Sequence, residues 1–109
     1  MASVLDEGLK TSHFPGIEYR DGPTGRRAGL AGGPDVWEIV RDIKHSQGQG
    51  EQRIRAVAEQ LGLPVQRIGL VLDFYATFPE EVENRIDADE RAAARVRDLA
   101  SNRDRLLAM

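Results

Sequence analysis

Cysteine is missing altogether, histidine occurs only at positions 13 and 45, and just six aromatic residues are spread over 109 positions. Without cysteine there is no disulfide scaffold, no thiolate zinc site and no cysteine nucleophile. Asp42 and His45 stand at i, i+3, a spacing that can hold a metal, but two ligands without a third make a poor site. His13 falls in an N-terminal stretch with no apolar periodicity, and no nucleophile, base and orienting acid gather in one place. The expectation is a protein that is not an enzyme and holds no metal and no cofactor. No apolar run approaches the roughly 18 residues of a membrane span. Met1-Ala2-Ser3-Val4-Leu5-Asp6-Glu7 lacks the basic and apolar regions of a secretory signal, so the cytoplasm is the expected location. A net charge of -3 gives no global basic field, and contact with nucleic acid would need a local patch.

What is present points to one domain. Leu, Ile, Val and Phe make up 27 of the 109 residues, above the roughly 20% below which chains stay disordered. Seventeen of the 27 lie between Val36 and Ile86, which predicts a single core there. Charge is distributed in blocks. Residues 1–72 balance nine bases against nine acids, residues 73–90 carry seven acids against Arg85, and residues 91–109 carry five arginines against two acids. An acidic collar at -6 therefore precedes a basic tail at +3.

Residues 1–13 are expected to form a flexible N-terminal arm. Ile17-Glu18-Tyr19-Arg20 alternates as a half-buried strand does, Asp21-Gly22-Pro23-Thr24-Gly25 supplies a turn, and Arg26 to Ala31 returns as the second strand. A first helix is predicted from Asp35 to Lys44, with Asp35 and Glu38 spaced as a capping box and Val36, Ile39, Val40 and Ile43 on one stripe. Gln47-Gly48-Gln49-Gly50 reads as a linker. A second helix runs from Glu51 to Leu61 and ends at Gly62. A third starts at Pro64, suited to the first helical turn, and runs to Phe78. It is apolar around nearly its whole circumference, which calls for a central position or a second copy against it. Pro79 opens a fourth segment, from Glu80 towards Arg105, in which Glu81 with Arg85 and Asp87 with Arg91 are spaced as i,i+4 ion pairs.

The fold class expected is mainly α: an N-terminal β-hairpin, then a helix-turn-helix tri-helical core, then a long C-terminal helix or tail. The hairpin and the helix-turn-helix together occupy 14–80, and 81–109 is the partner-binding tail. Ala58 fills the small slot of a helix-turn-helix, Gly62 the turn, and Val57, Leu61, Ile68 and Val71 the locking positions. As a reader of base edges the third helix offers only Gln66 and Arg67, while Asp73 repels phosphate. Arg20, Arg26 and Arg27 in the hairpin supply a second basic surface near glycine turns that can cradle phosphate. These five residues are the candidate DNA-binding set. A ribbon with an unpaired edge and the apolar third helix together predict a homodimer.

Pro15-Gly16-Ile17-Glu18-Tyr19-Arg20-Asp21-Gly22-Pro23-Thr24-Gly25-Arg26-Arg27-Ala28, followed by Gly33-Pro34-Asp35-Val36-Trp37-Glu38-Ile39-Val40, resembles the actinobacterial branch of a small VapB-like antitoxin family, catalogued as domain of unknown function 433. The likeness continues through Ala56-Val57-Ala58-Glu59-Gln60-Leu61-Gly62-Leu63 and Ala76-Thr77-Phe78-Pro79-Glu80-Glu81-Val82, and covers roughly 15–89. The resemblance implies a helix-turn-helix antitoxin of a bacterial type II toxin–antitoxin system. Such a protein silences a PIN-like ribonuclease toxin and is suspected of repressing its own operon by binding operator DNA. The tail is then the expected toxin-binding segment: Arg91, Arg95, Arg97 and Arg103 bring positive charge to a carboxylate-lined nuclease site, and Val96, Leu99, Leu106 and Leu107 are spaced to dock in a groove. The alternatives are a free-standing DNA-binding transcriptional regulator, or a dimeric adaptor that binds no nucleic acid.

Overall fold

The computed structural model describes residues 4–22 and 25–109. Its order is α1 (Val4–His13), β1 (Ile17–Arg20), β2 (Arg27–Leu30), α2 (Val36–His45), α3 (Glu51–Leu61), α4 (Val65–Thr77) and α5 (Pro79–Leu107). The mainly helical class with an N-terminal hairpin and a long last helix is as the sequence predicts.

β1 and β2 pair antiparallel with Ile17 opposite Leu30 and Arg20 opposite Arg27. Positions 23 and 24, in the predicted turn, lie outside the described residues, as do positions 1–3 of the predicted arm. Ile17, Ala28 and Leu30 point inward and join Val36, Ile39 and Val40 of α2 in one core. The hairpin is thus stabilised by packing on a helix, which a two-stranded ribbon needs in water.

α4 runs through the middle. Ile68, Val71 and Phe74 are fully buried, and α2, α3 and α5 pack around the helix. Its apolar circumference is therefore covered largely by its own chain, which answers the reason for expecting a second copy against it. Phe74 is held between Phe14 and Phe78 at ring-centroid distances of 5.5 and 5.2 Å.

Pro79 ends α4 because the residue before a proline is kept out of the helical region, and Phe78 sits at φ -127°, ψ 59°. Pro79 itself takes the first position of α5, where a missing N–H costs nothing. Of this 29-residue helix only the first third is in the core, through Val82 and Ile86. The expected boundary at residues 80 and 81 therefore cuts through α5 ahead of two core residues. The outer part projects. A compact chain of this length has a radius of gyration of about 13 Å, whereas this one has 16.6 Å and measures 56 Å along its longest axis.

Three sequence expectations need correction. Residues 4–13 are not an irregular arm but helix α1, anchored by Glu7, whose buried carboxylate takes a two-pronged grip from Arg26 at 2.6 and 3.2 Å. Asp35 does sit at the N-cap of α2 but makes no capping hydrogen bond, because its side chain is taken by other donors. Pro64 is the N-cap of α4 and not part of its first turn.

Candidate functional site

The helix-turn-helix is built as its residues require. Gly62 adopts the left-handed conformation at φ 67°, which costs an L side chain about 1 kcal/mol or more, and its N–H and that of Leu63 close the end of α3 on Glu59 and Ala58 carbonyls. Ala58 is buried in the same core as Val57 and Ile68. The outward side of α4 presents Val65, Gln66 and Asp73, all exposed.

The predicted DNA-binding arginines turn towards the protein itself. Arg27 donates from Nε to Asp35, and Trp37 Nε1 reaches the same oxygen at 3.1 Å. Arg20 Nε lies 3.4 Å from the other Asp35 oxygen. Its Nη2 touches three carbonyls, those of Leu30, Gly33 and Pro34, nearest at 2.7 Å for Gly33. Arg67 donates to the Ala31 carbonyl at 2.6 Å. Three of the five candidates thus converge on the loop that leads from β2 into α2, and two of them, Arg20 and Arg27, meet the carboxylate of the buried Asp35. Arg26 sits apart, on Glu7 and Asp21. Hydrogen bonding to Glu7 holds its guanidinium charged well above the ordinary arginine range. Gln66 alone faces solvent without a protein partner. Gly29 makes the arrangement possible, since a Cβ there would lie 1.8 Å from Arg20 Nη2.

Three acids of the collar, Glu81, Glu83 and Asp89, are likewise engaged in holding the fold. Glu81 accepts from Lys10 and from the Tyr19 hydroxyl, each at 2.6 Å. Burial, reinforced by that bond to Glu81, pushes the Tyr19 hydroxyl far above its ordinary pKa. Glu83 takes Lys44 and, at 2.9 Å, the Tyr75 hydroxyl. The Lys44 contact, with Tyr75 second, holds the Glu83 carboxyl below its ordinary value and raises Lys44 in return. Asp89 faces Arg41 at 3.5 Å. These bonds fasten α5 to α1, β1, α2 and α4. Between α1, the hairpin and the start of α5 lies a groove of about 850 Å³, whose charges are mixed: Lys10, Arg26, Arg27 and Arg85 against Asp6, Glu80 and Glu81. Among the described residues, no group of three or more His, Asp or Glu side chains is placed to hold a metal, and no helix is long and apolar enough to cross a membrane.

The tail is different in kind. Arg91, Arg95, Arg97 and Arg103 are exposed along one continuous helix, and Val96, Leu99, Leu106 and Leu107 are 66, 63, 68 and 72% exposed. These are not scattered side chains. The row of positions that begins inside the core with Val82 and Ile86 continues at alternating four- and three-residue steps through Asp89, Ala93, Val96, Ala100 and Arg103 to Leu107. Leu99 and Leu106 flank it. The face that buries the start of α5 is thus prolonged, uncovered, for four more turns. Lys10, Tyr19 and Glu81, which join at the base of this helix, and Glu7, which ties α1 to the hairpin through Arg26, were not predicted as contacts from the sequence. The acid-then-base order of Asp6, Glu7, Lys10 and His13 was the available signal for α1. Comparison with models of protein families, with curated proteins and with solved structures finds no match to this chain.

Proposed function

We propose that the chain is the antitoxin of a type II toxin–antitoxin pair, which binds and neutralises a PIN-like ribonuclease toxin through the outer half of α5. The observation that carries this reading is the outer part of α5, held clear of the core, on which Val96, Leu99, Leu106 and Leu107 are exposed among arginines. A helix of this kind lays its apolar side into a hydrophobic groove and brings cations to the carboxylates of a metal-dependent nuclease. The resemblance of residues 15–89 to the VapB-like family supplies the class of partner.

The helix is already formed, so docking requires less ordering than a disordered tail would. Autoregulation through operator DNA is the weaker part of the reading. Arg20, Arg26, Arg27 and Arg67 are occupied by Glu7, Asp35 and backbone carbonyls, which leaves Gln66 as the free polar side chain at the start of α4. The same occupancy weighs against a free-standing DNA-binding regulator.

Truncation after Asp89 tests the proposal. The shortened chain keeps Val82 and Ile86 and folds, but no longer rescues cells that express the toxin encoded beside it. Rescue equal to that by the full chain would overturn the tail as the binding segment.

A further inference from the structure

Among the described residues, every lysine and arginine of 4–90 has a partner within the protein. Arg91, Arg95, Arg97 and Arg103 have none, and Arg105 reaches only the Asn102 side chain, at 3.2 Å. The guanidinium charge that folding leaves unneutralised is thus confined to the outer part of α5, which stands clear of the core. Arginine stays protonated throughout the physiological range. The segment 91–109 therefore keeps a surplus, five arginines against Asp98 and Asp104.

These arginines are distributed around the helix in a particular way. At 3.6 residues per turn, Arg91, Arg95 and Arg105 fall within about 80° of one another, with Asn102 among them. Arg103 and Arg97 stand about 120° to either side of that row. A flat acidic patch, docked on the row, would leave both flanking arginines outside the contact. A groove with negative charge on both walls meets all five. The major groove of B-form DNA is such a groove: about 12 Å wide and rimmed by phosphates, it admits one α-helix of about 10–12 Å diameter.

We infer that the outer part of α5 is a DNA-binding helix that lies in the major groove. Arg91, Arg95 and Arg105 face the base edges, where arginine pairs with guanine, and Asn102 can pair with adenine. Asp98, the acid within this row, can accept from the cytosine amino group. Arg97 and Arg103 turn to the phosphates of the two strands. From Arg91 to Arg105 the row is about 21 Å long, the rise of about six base pairs. Asp87, Asp89 and Glu90 keep the contact to the turns beyond them.

The inference goes beyond the toxin reading and does not rest on it. It moves the DNA contact from the helix-turn-helix and hairpin, whose arginines are taken, to the tail. Val96, Ala100 and Leu107 lie on the opposite side of α5. Apolar docking of a toxin and insertion into DNA therefore use different faces of one helix.

Fluorescence anisotropy with a labelled mixed-sequence DNA duplex tests it. The full chain should bind with micromolar affinity at about 50 mM salt and lose about a hundredfold by about 200 mM, as expected when about four phosphates are neutralised. Arg91→Gln combined with Arg95→Gln, both exposed, should weaken binding about tenfold or more and leave the circular-dichroism melt unchanged. Arg97→Gln and Arg103→Gln should each weaken it and lower the salt slope by about one. One-sided docking would register only one of them.

No binding at the lower salt, binding that survives truncation after Asp89, or a flanking variant without effect would overturn the inference. So would equal affinity for a duplex RNA of the same length, whose major groove is too narrow for side chains to read. The toxin reading is scored apart, by rescue with a Val96→Ser, Leu107→Ser chain that keeps every arginine. DNA binding together with full rescue by that chain would overturn apolar docking of the toxin alone. Lost rescue in a chain that never binds DNA would overturn the present inference alone.

Discussion

The Tyr19 hydroxyl donates to Glu81 Oε2 at 2.6 Å, across 62 residues of sequence. The second Glu81 oxygen receives Lys10 at the same distance, so one carboxylate gathers a helix, a strand and the first turn of α5. Glu81→Ala removes both bonds and leaves a half-buried hydroxyl and an ammonium without their acceptor. A loss of about 1–3 kcal/mol is expected in urea unfolding. Tyr19→Phe, which leaves the Lys10 contact, should cost less.

Acid should act at Glu83. Its carboxyl titrates below the ordinary 4.5 because Lys44 and Tyr75 favour the charged form. The stability it contributes is complete above the unfolded-state value and disappears as pH falls through the lower folded-state value. Lys44, raised from 10.5, sets the opposite limit, its share being lost only as pH rises beyond that. Thermal melts should therefore be flat in this respect from pH 5 to 10 and fall below about pH 4.5. Glu83→Gln should flatten part of that acid limb, and an unchanged limb would show that the pair contributes nothing.

Phe74 has no exposed surface and touches rings on both sides. Phe74→Ala should cost about 3–5 kcal/mol, enough to unfold a domain of this size at moderate temperature. Val65→Ala, on the exposed side of the same helix, should change stability by less than about 0.5 kcal/mol.

Replacing Arg27 by Ala should lower stability before it lowers any affinity for DNA, because it strips a buried Asp35 of a charged partner. A cost of about 3 kcal/mol is typical when a buried pair loses one member. Gln66→Ala should leave the melt unchanged, and a loss of operator binding in that variant would mark the start of α4 as the contact.

Much of this architecture is legible in the sequence because its signals are local. Gly50 and Gly62 bracket α3, whose bounds agree with the expectation to the residue, and Pro79 separates α4 from α5. The exposure of Val96, Leu99, Leu106 and Leu107 follows from their sparseness beyond Ile86. What escapes is whatever depends on a distant partner. Glu7 becomes an anchor only when Arg26 is folded against it, and α1 carries too little apolar periodicity to announce itself. Arg20 and Arg27 look like a phosphate-binding pair until the loop over 31–35 turns Asp35 and three carbonyls towards them. Charge type is visible in a sequence, but the direction in which a side chain spends it is set by the tertiary fold.

The passage from α4 to α5 over Phe78 and Pro79 has a mechanical consequence. From Pro79 to Leu107 the chain is one uninterrupted helix, a lever of about 42 Å at 1.5 Å per residue. Its first third is clamped through Glu81, Glu83, Ile86 and Asp89. A rotation of about 10° at the last of these fastenings carries the tip by about 5 Å over the roughly 27 Å that remain. A load at the tip is therefore felt at Tyr19 and Lys44, and loosening of the hairpin is magnified at the tip.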